Sequence, residues 1–283
     1  MKKVALVGNG INDAQKITWN GLLNYVQDKL DIEDDKKLKF NQNISPIIAF
    51  DSLCKQNKEP RVRELVKKYI EDKSNFVDKI WTLFDVVITT NFDNNLLVSS
   101  KKDSPEIKLP NKESVTKIRI DFQYKKIDKM MFPIHGYYKS PDTICLGLDQ
   151  YTDNLKRIQS YVENKKKNKL KKEKSPSWIN YFFEPDTEIN IIGLNLCPSE
   201  IDLWWLLNYR AKVFNELKNN VIKYFDLKAN KENENYTELE NKFNILKSMK
   251  VEVEQIEKAT DYNSDFYSYC INHIKNRVSS DVC

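Results

Sequence analysis

Five short apolar runs recur along the chain, Val4 to Val7, Val86 to Thr90, Met130 to Ile134, Ile189 to Ile192 and Val251 to Ile256, separated by longer stretches with helical spacing. Continuous apolar runs of this length are what strands buried on both faces require, as in a parallel sheet built from βαβ crossovers. In the last run Val251 and Val253 alternate with Glu252 and Glu254, the pattern of a half-exposed edge strand. After the first run, Trp19, Leu22, Leu23, Val26 and Leu30 keep the i, i+3, i+4 spacing of a helix with one buried face. After the fourth, Ser199 with Asp202 reads as a capping box ahead of Ile201, Leu203, Trp204, Leu206 and Leu207. A terminal helix carries Phe266, Tyr269, His273 and Ile274. The expected class is α/β, a doubly wound parallel sheet with helices on both faces.

Two polar stretches break this rhythm. Gln150 to Pro185, between the third and fourth strands, holds Lys165, Lys166, Lys167, Lys169, Lys171, Lys172 and Lys174, a density of like charge that self-repels and reads as a solvated loop or frayed helix. Lys228 to Glu240 reads the same way. The expected organisation is one domain over 1–283, with a helical, charged insertion at about 150–185 and an edge strand plus helix at about 250–278.

Composition narrows the function classes. With 40% hydrophobic and 31% charged residues, the chain lies on the globular side of the boundary with disorder. The net charge of +5 is too small for a chain of 283 residues to imply a polyanionic partner. The insertion's lysines lack interleaved arginine or aromatic residues, so no specific nucleic-acid binding is expected. Met1-Lys2-Lys3 leads straight into a strand, with neither a signal segment nor a membrane span, and the expected location is cytoplasmic. Cys54, Cys145, Cys197, Cys270 and Cys283 form no CxxC pair, so neither structural zinc nor any other metal is expected.

The chemistry-bearing residues gather at strand ends. Gly8-Asn9-Gly10-Ile11-Asn12 closes the first strand, where glycines let backbone amides approach a phosphate near a helix N-terminus. A GxG after a strand is equally an ordinary tight turn. The second strand runs into Thr89-Thr90-Asn91-Phe92-Asp93, an amide and a carboxylate facing the crevice of a doubly wound sheet, though both side chains also suit turns and caps. The third delivers His135-Gly136, one of only two histidines in the chain.

Taken together these segments resemble the SIR2-like domain family, the sirtuin-related group with a Rossmann-like NAD-binding fold. Gly8 to Asn12 is similar to its GAG-x-S loop, Thr89 to Asp93 to its TQN-x-D, His135-Gly136 to its HG, and Gly193-Leu194-Asn195-Leu196 to its later GTSL-type loop. The resemblance runs to about Trp205. Asn9, Asn12 and Thr90 depart from the usual Ala, Ser and Gln, and neither the arginine-bearing cofactor loop nor the four-cysteine zinc module of protein deacetylases is present. What remains looks like the sirtuin-related NADases of bacterial antiphage defence. An AbiH-type abortive-infection relative shares the opening GNG, but Thr89 to Asp93 favours the sirtuin-like assignment.

The resemblance implies cleavage of NAD, as substrate, to nicotinamide and ADP-ribose by a toxic effector. His135 would act as general base through a neutral imidazole, and Asn91 would orient ribose or water. Gly8, Gly10 and Asn12 would hold the diphosphate, Asp93 would order its loop or contact the ribose, Gly193 and Asn195 would face the adenosine side, and Asn9 and Thr90 would also contact the NAD. Glu200 and Asp202 receive no role, the capping box accounting for Asp202. Rival expectations are a non-catalytic NAD or ADP-ribose sensor and a sirtuin-type deacylase or ADP-ribosyltransferase. A homo-oligomer or a complex with an activating sensor protein is expected.

Overall fold

The computed structural model describes residues 1–12, 18–38, 45–57, 59–73, 83–93, 120–124, 127–167, 177–228, 236–257, 259 and 264–280. Its centre is a seven-stranded sheet. The strands are β1 (Lys2–Val7), β2 (Val86–Thr89), β3 (Ile120–Tyr124), β4 (Ile127–Pro133), β5 (Thr187–Ile192), β6 (Asn220–Leu227) and β7 (Glu252–Ile256). The helices are α1 (Trp19–Lys29), α2 (Pro46–Gln56), α3 (Glu59–Lys73), α4 (Leu148–Lys167), α5 (Ile201–Lys212), α6 (Tyr236–Ser248) and α7 (Ser264–Ser280).

The spatial order is β3-β4-β2-β1-β5-β6-β7, with every neighbouring pair parallel except β3 and β4. Without the antiparallel edge strand β3, the parallel strands run 3-2-1-4-5-6 in chain order, the Rossmann arrangement. From β1 the chain builds outward first through β2 and β4, then returns to build the other way through β5, β6 and β7. Connections on the two sides leave β1 and β5 in opposite directions, which opens a crevice beyond their carboxyl ends.

Strand alternation divides the core in two. Ala5, Val7, Val87, Met131 and Phe225 pack with the buried faces of α1, α2, α3 and α7. Val4, Leu6, Ile88, Phe132, Ile189, Ile191 and Ile222 pack with α4, α5, α6 and the short turn at Trp178–Phe182. The expected class therefore holds, and so does the half-exposed edge position of β7.

Three expectations change. The stretch from Gln150 is helical as expected, but its described parts are not solvated: α4 buries Tyr151, Asn154, Ile158 and Val162, and the turn at Trp178–Phe182 is buried as well. Positions 168–176 lie outside the described residues. Of Lys228 to Glu240, the last five positions begin α6, which buries Phe243 and Leu246 farther along, while 229–235 lie outside the described residues. Strand β6 was missed because Lys223 and Asp226 interrupt its apolar run; Lys223 is buried against Glu188 of β5 at 2.6 Å. Among the described residues, no helix is long and apolar enough to cross a membrane.

Candidate functional site

The loops at the carboxyl ends of β1 and β5 are pressed together. Gly8 donates to the Ile192 carbonyl at 3.0 Å and Gly10 to the Gly193 carbonyl at 2.9 Å. A Cβ on Gly8 would lie 2.5 Å from the Gly193 oxygen, and one on Gly10 would lie 2.4 Å from the Tyr267 hydroxyl of α7. These glycines are required by contact between the loops. Their amides are already bonded, which corrects the expectation that Gly8 and Gly10 present free N–H groups to a diphosphate. At the start of α1, Thr18 Oγ1 takes the Gly21 amide and the Thr18 carbonyl takes that of Leu22. Trp19 and Asn20 carry the other amides of that turn, the usual anion-facing position of this fold.

A cleft of about 2610 Å³ opens over these ends, ample for a dinucleotide. Asn9, Gly10, Thr90, Asn91, Asp93, His135, Gly193 and Asn195 all line it. Gly8 does not, and nothing is described of the Asn12 side chain. The structure thus brings together most of the residues singled out from the sequence, spread across the ends of four strands.

Asn91 follows β2 and is 4% exposed. Its own amide is fixed by Thr89 Oγ1 at 3.0 Å, and its side-chain Nδ2 donates to the Gly8 carbonyl at 3.3 Å. Its Oδ1 is buried with no hydrogen-bond partner. A buried acceptor without a partner costs roughly 1–3 kcal/mol, so a ligand hydroxyl or water that satisfies it is favoured.

His135 follows β4 at the point where Gly136 adopts φ 105°, conformational space that an L side chain rarely enters. The turn folds back so tightly that a Cβ on Gly136 would lie 2.2 Å from the Thr143 carbonyl oxygen, and Cys145 donates to the His135 carbonyl at 2.7 Å. The glycine of the His-Gly pair therefore serves the backbone.

The imidazole is buried among carboxylates. Nε2 lies 3.0 Å from Asp202 Oδ2, and Nδ1 lies 3.7 Å from Glu200 Oε2 and 3.4 Å from the Tyr151 hydroxyl. Asn154 Nδ2 approaches the same Asp202 oxygen at 3.5 Å. Burial disfavours charge on His135, but Asp202 and Glu200 outweigh it and raise the pKa from 6.5 to about 9. The shift favours the imidazolium form at neutral pH. The neutral general base expected from the sequence took the reference pKa of about 6.5, which holds without these partners. Burial also raises the pKa of Glu200, His135 opposing and Asp202 adding to the rise.

Asp202 and Glu200 are the functional candidates that sequence reasoning discarded. The capping box is not formed: Glu200 occupies the N-cap position of α5 with no side-chain cap bond, and Ser199 Oγ lies 2.7 Å from Cys197 Sγ. Asp202 Oδ1 takes the Leu203 amide at 2.9 Å, leaving Oδ2 for His135. The available signal was two carboxylates following directly on a strand end that already carried a candidate loop.

Among the described residues, His135, Glu200 and Asp202 are also the one cluster with metal-ligand donors, all within 4.8 Å of one another. A metal there would have to replace the shared proton. The expectation of no metal rested on cysteine spacing, which does not reach this group. The chain matches no protein-family model and no curated protein.

Proposed function

We propose that the chain cleaves the bond between nicotinamide and ribose in NAD, releasing nicotinamide and ADP-ribose. The observation that carries this reading is the buried, unpartnered Asn91 Oδ1 in the wall of the same cleft as His135, at the crevice where Rossmann sheets take dinucleotides. The sirtuin-like order of the motifs supports it.

Nicotinamide leaves as a neutral ring, so positive charge moves onto the ribose as the bond breaks, and no acid need protonate the leaving group. The site must favour that cation, position a nucleophile and accept one proton. Asn91 Oδ1 is suited to accept from a ribose hydroxyl or the attacking water. The His135, Asp202 and Glu200 cluster carries one cation and two carboxyl groups. With both carboxyls ionised its net charge is negative, which suits a cationic transition state. Asp93 would order its loop or contact the ribose, Thr90 would contact the NAD, and Gly193 and Asn195 would face the adenosine side, as the resemblance implies.

By the same resemblance the protein would act in the cytoplasm as a toxic effector of antiphage defence, restrained until it assembles with itself or with a sensor protein. An unrestrained NADase would exhaust a metabolite that its own cell needs. The direct test incubates purified protein with NAD and follows nicotinamide. Stoichiometric nicotinamide and ADP-ribose are expected; saturable NAD binding without turnover would instead make the chain a sensor.

A further inference from the structure

We propose that Glu200 is the base that takes the proton of the attacking water, with Asp202 and His135 as positioning residues that hold its carboxylate at the cleft wall. This rests on the NAD-cleavage reading and names a catalytic group within it.

The argument is one of access. Both nitrogens of His135 face protein groups, Nε2 toward Asp202 at 3.0 Å and Nδ1 toward Tyr151 and Glu200 at 3.4 and 3.7 Å. An imidazolium in that setting has no lone pair to offer water. Asp202 is 0% exposed and does not line the cleft. Glu200 does line it and its side chain is 12% exposed; its Oε2 is buried beside His135 without a hydrogen-bond partner, an acceptor that a water admitted from the cleft would satisfy. Its N-cap position is not used for capping, so helix formation does not account for the carboxylate. Burial moves its pKa upward, toward the range useful in a base.

In the step, the water oxygen forms a bond to the anomeric carbon while the carbon–nitrogen bond breaks. The bonding pair moves to nicotinamide and neutralises its ring. The water proton passes to Glu200, which later releases it to solvent, so the products are nicotinamide, ADP-ribose and one proton. Besides Asp202, the titratable groups around the cluster are Tyr151 of α4, Cys145 after β4 and Cys197 before α5. Burial pushes Tyr151 well above its ordinary range and Cys145 up to about 12, so both stay neutral through the working range.

The experiment combines kinetics with proton NMR of the imidazoles, which is tractable because the chain has only two histidines. E200Q is expected to lower kcat at least about a hundredfold with KM little changed, and to lose the acid limb of the pH–rate profile. E200D should recover part of the loss. D202N should bring the His135 titration down toward the ordinary range near 6.5 and weaken kcat less than E200Q does. The His135 resonance itself reports whether each variant is folded. E200Q within tenfold of wild type, or a wild-type His135 that titrates near 6.5, overturns the assignment. A wild-type protein that releases no nicotinamide overturns the NAD reading, and the role of Glu200 with it.

Discussion

Asn91 and His135 occupy equivalent strand ends, yet their environments fit them for different work. Asn91 donates its NH₂ to the Gly8 carbonyl and leaves its buried oxygen unpartnered, so under the proposed function Asn91→Ala removes a ligand contact at small structural cost. It is expected to lower nicotinamide release about a hundredfold or more while the melting temperature stays within a few degrees. His135 is bound into the core, and His135→Ala would leave Asp202 and Glu200 without a counter-charge. That variant is expected to be destabilised as well as inactive, unlike the intact fold a strand-end position would suggest. The pair also sets a pH dependence. Because the folded-state pKa of His135 is raised to about 9, its stabilising contribution is fully present below about 6.5 and is lost as pH rises through about 9. The loss is on the order of 3 kcal/mol, and Asp202→Asn should flatten it in urea titrations at pH 6, 8 and 9.5. The motifs singled out these two residues, and both line the cleft. The sequence hid Asp202 and Glu200, because a carboxylate just after a strand has a ready local explanation and only the fold shows that the imidazole lies beside it.

Elements were readable where apolar residues ran without interruption. Strands β1, β2, β4 and β5 and helices α1 and α5 follow from such runs, since a segment buried on both faces tolerates few polar residues. β6 broke the pattern by burying Lys223, which is acceptable only because Glu188 lies 2.6 Å away, with Lys3 at 3.8 Å beyond it. Lys223→Ala is therefore expected to cost toward the low end of roughly 3–5 kcal/mol in chemical denaturation. Replacing both Lys223 and Glu188 by Met should cost far less than that single change. α4 was hidden by its charged continuation: the lysine density beyond Tyr161 drew attention from the buried stripe of Tyr151, Asn154, Ile158 and Val162. The turn after β4 makes a different demand. Gly136→Ala forces a Cβ against the Thr143 carbonyl at a positive φ, and is expected to destabilise by at least about 2 kcal/mol, displacing His135 with it.

At the scale of the whole molecule, the order 3-2-1-4-5-6 of the parallel strands explains why residues from 9 to 267 meet in one cleft. The sequence announced the class and the ends of the strands. It did not announce how the loops after β1 and β5 spend their amides on each other, because that depends on hydrogen bonds of 3.0 and 2.9 Å between segments far apart in the chain. The restraint expected of an NADase belongs to this scale too. Specific activity should rise with protein concentration or on adding an activating partner, as mass measurement in solution and rate together would register. The most direct test of the account is nicotinamide release from NAD by the purified chain, measured beside Asn91→Ala over a range of protein concentrations. The account predicts equal amounts of nicotinamide and ADP-ribose from the wild type and at least about a hundredfold less from the variant. NAD bound by both proteins and cleaved by neither at any concentration would contradict it.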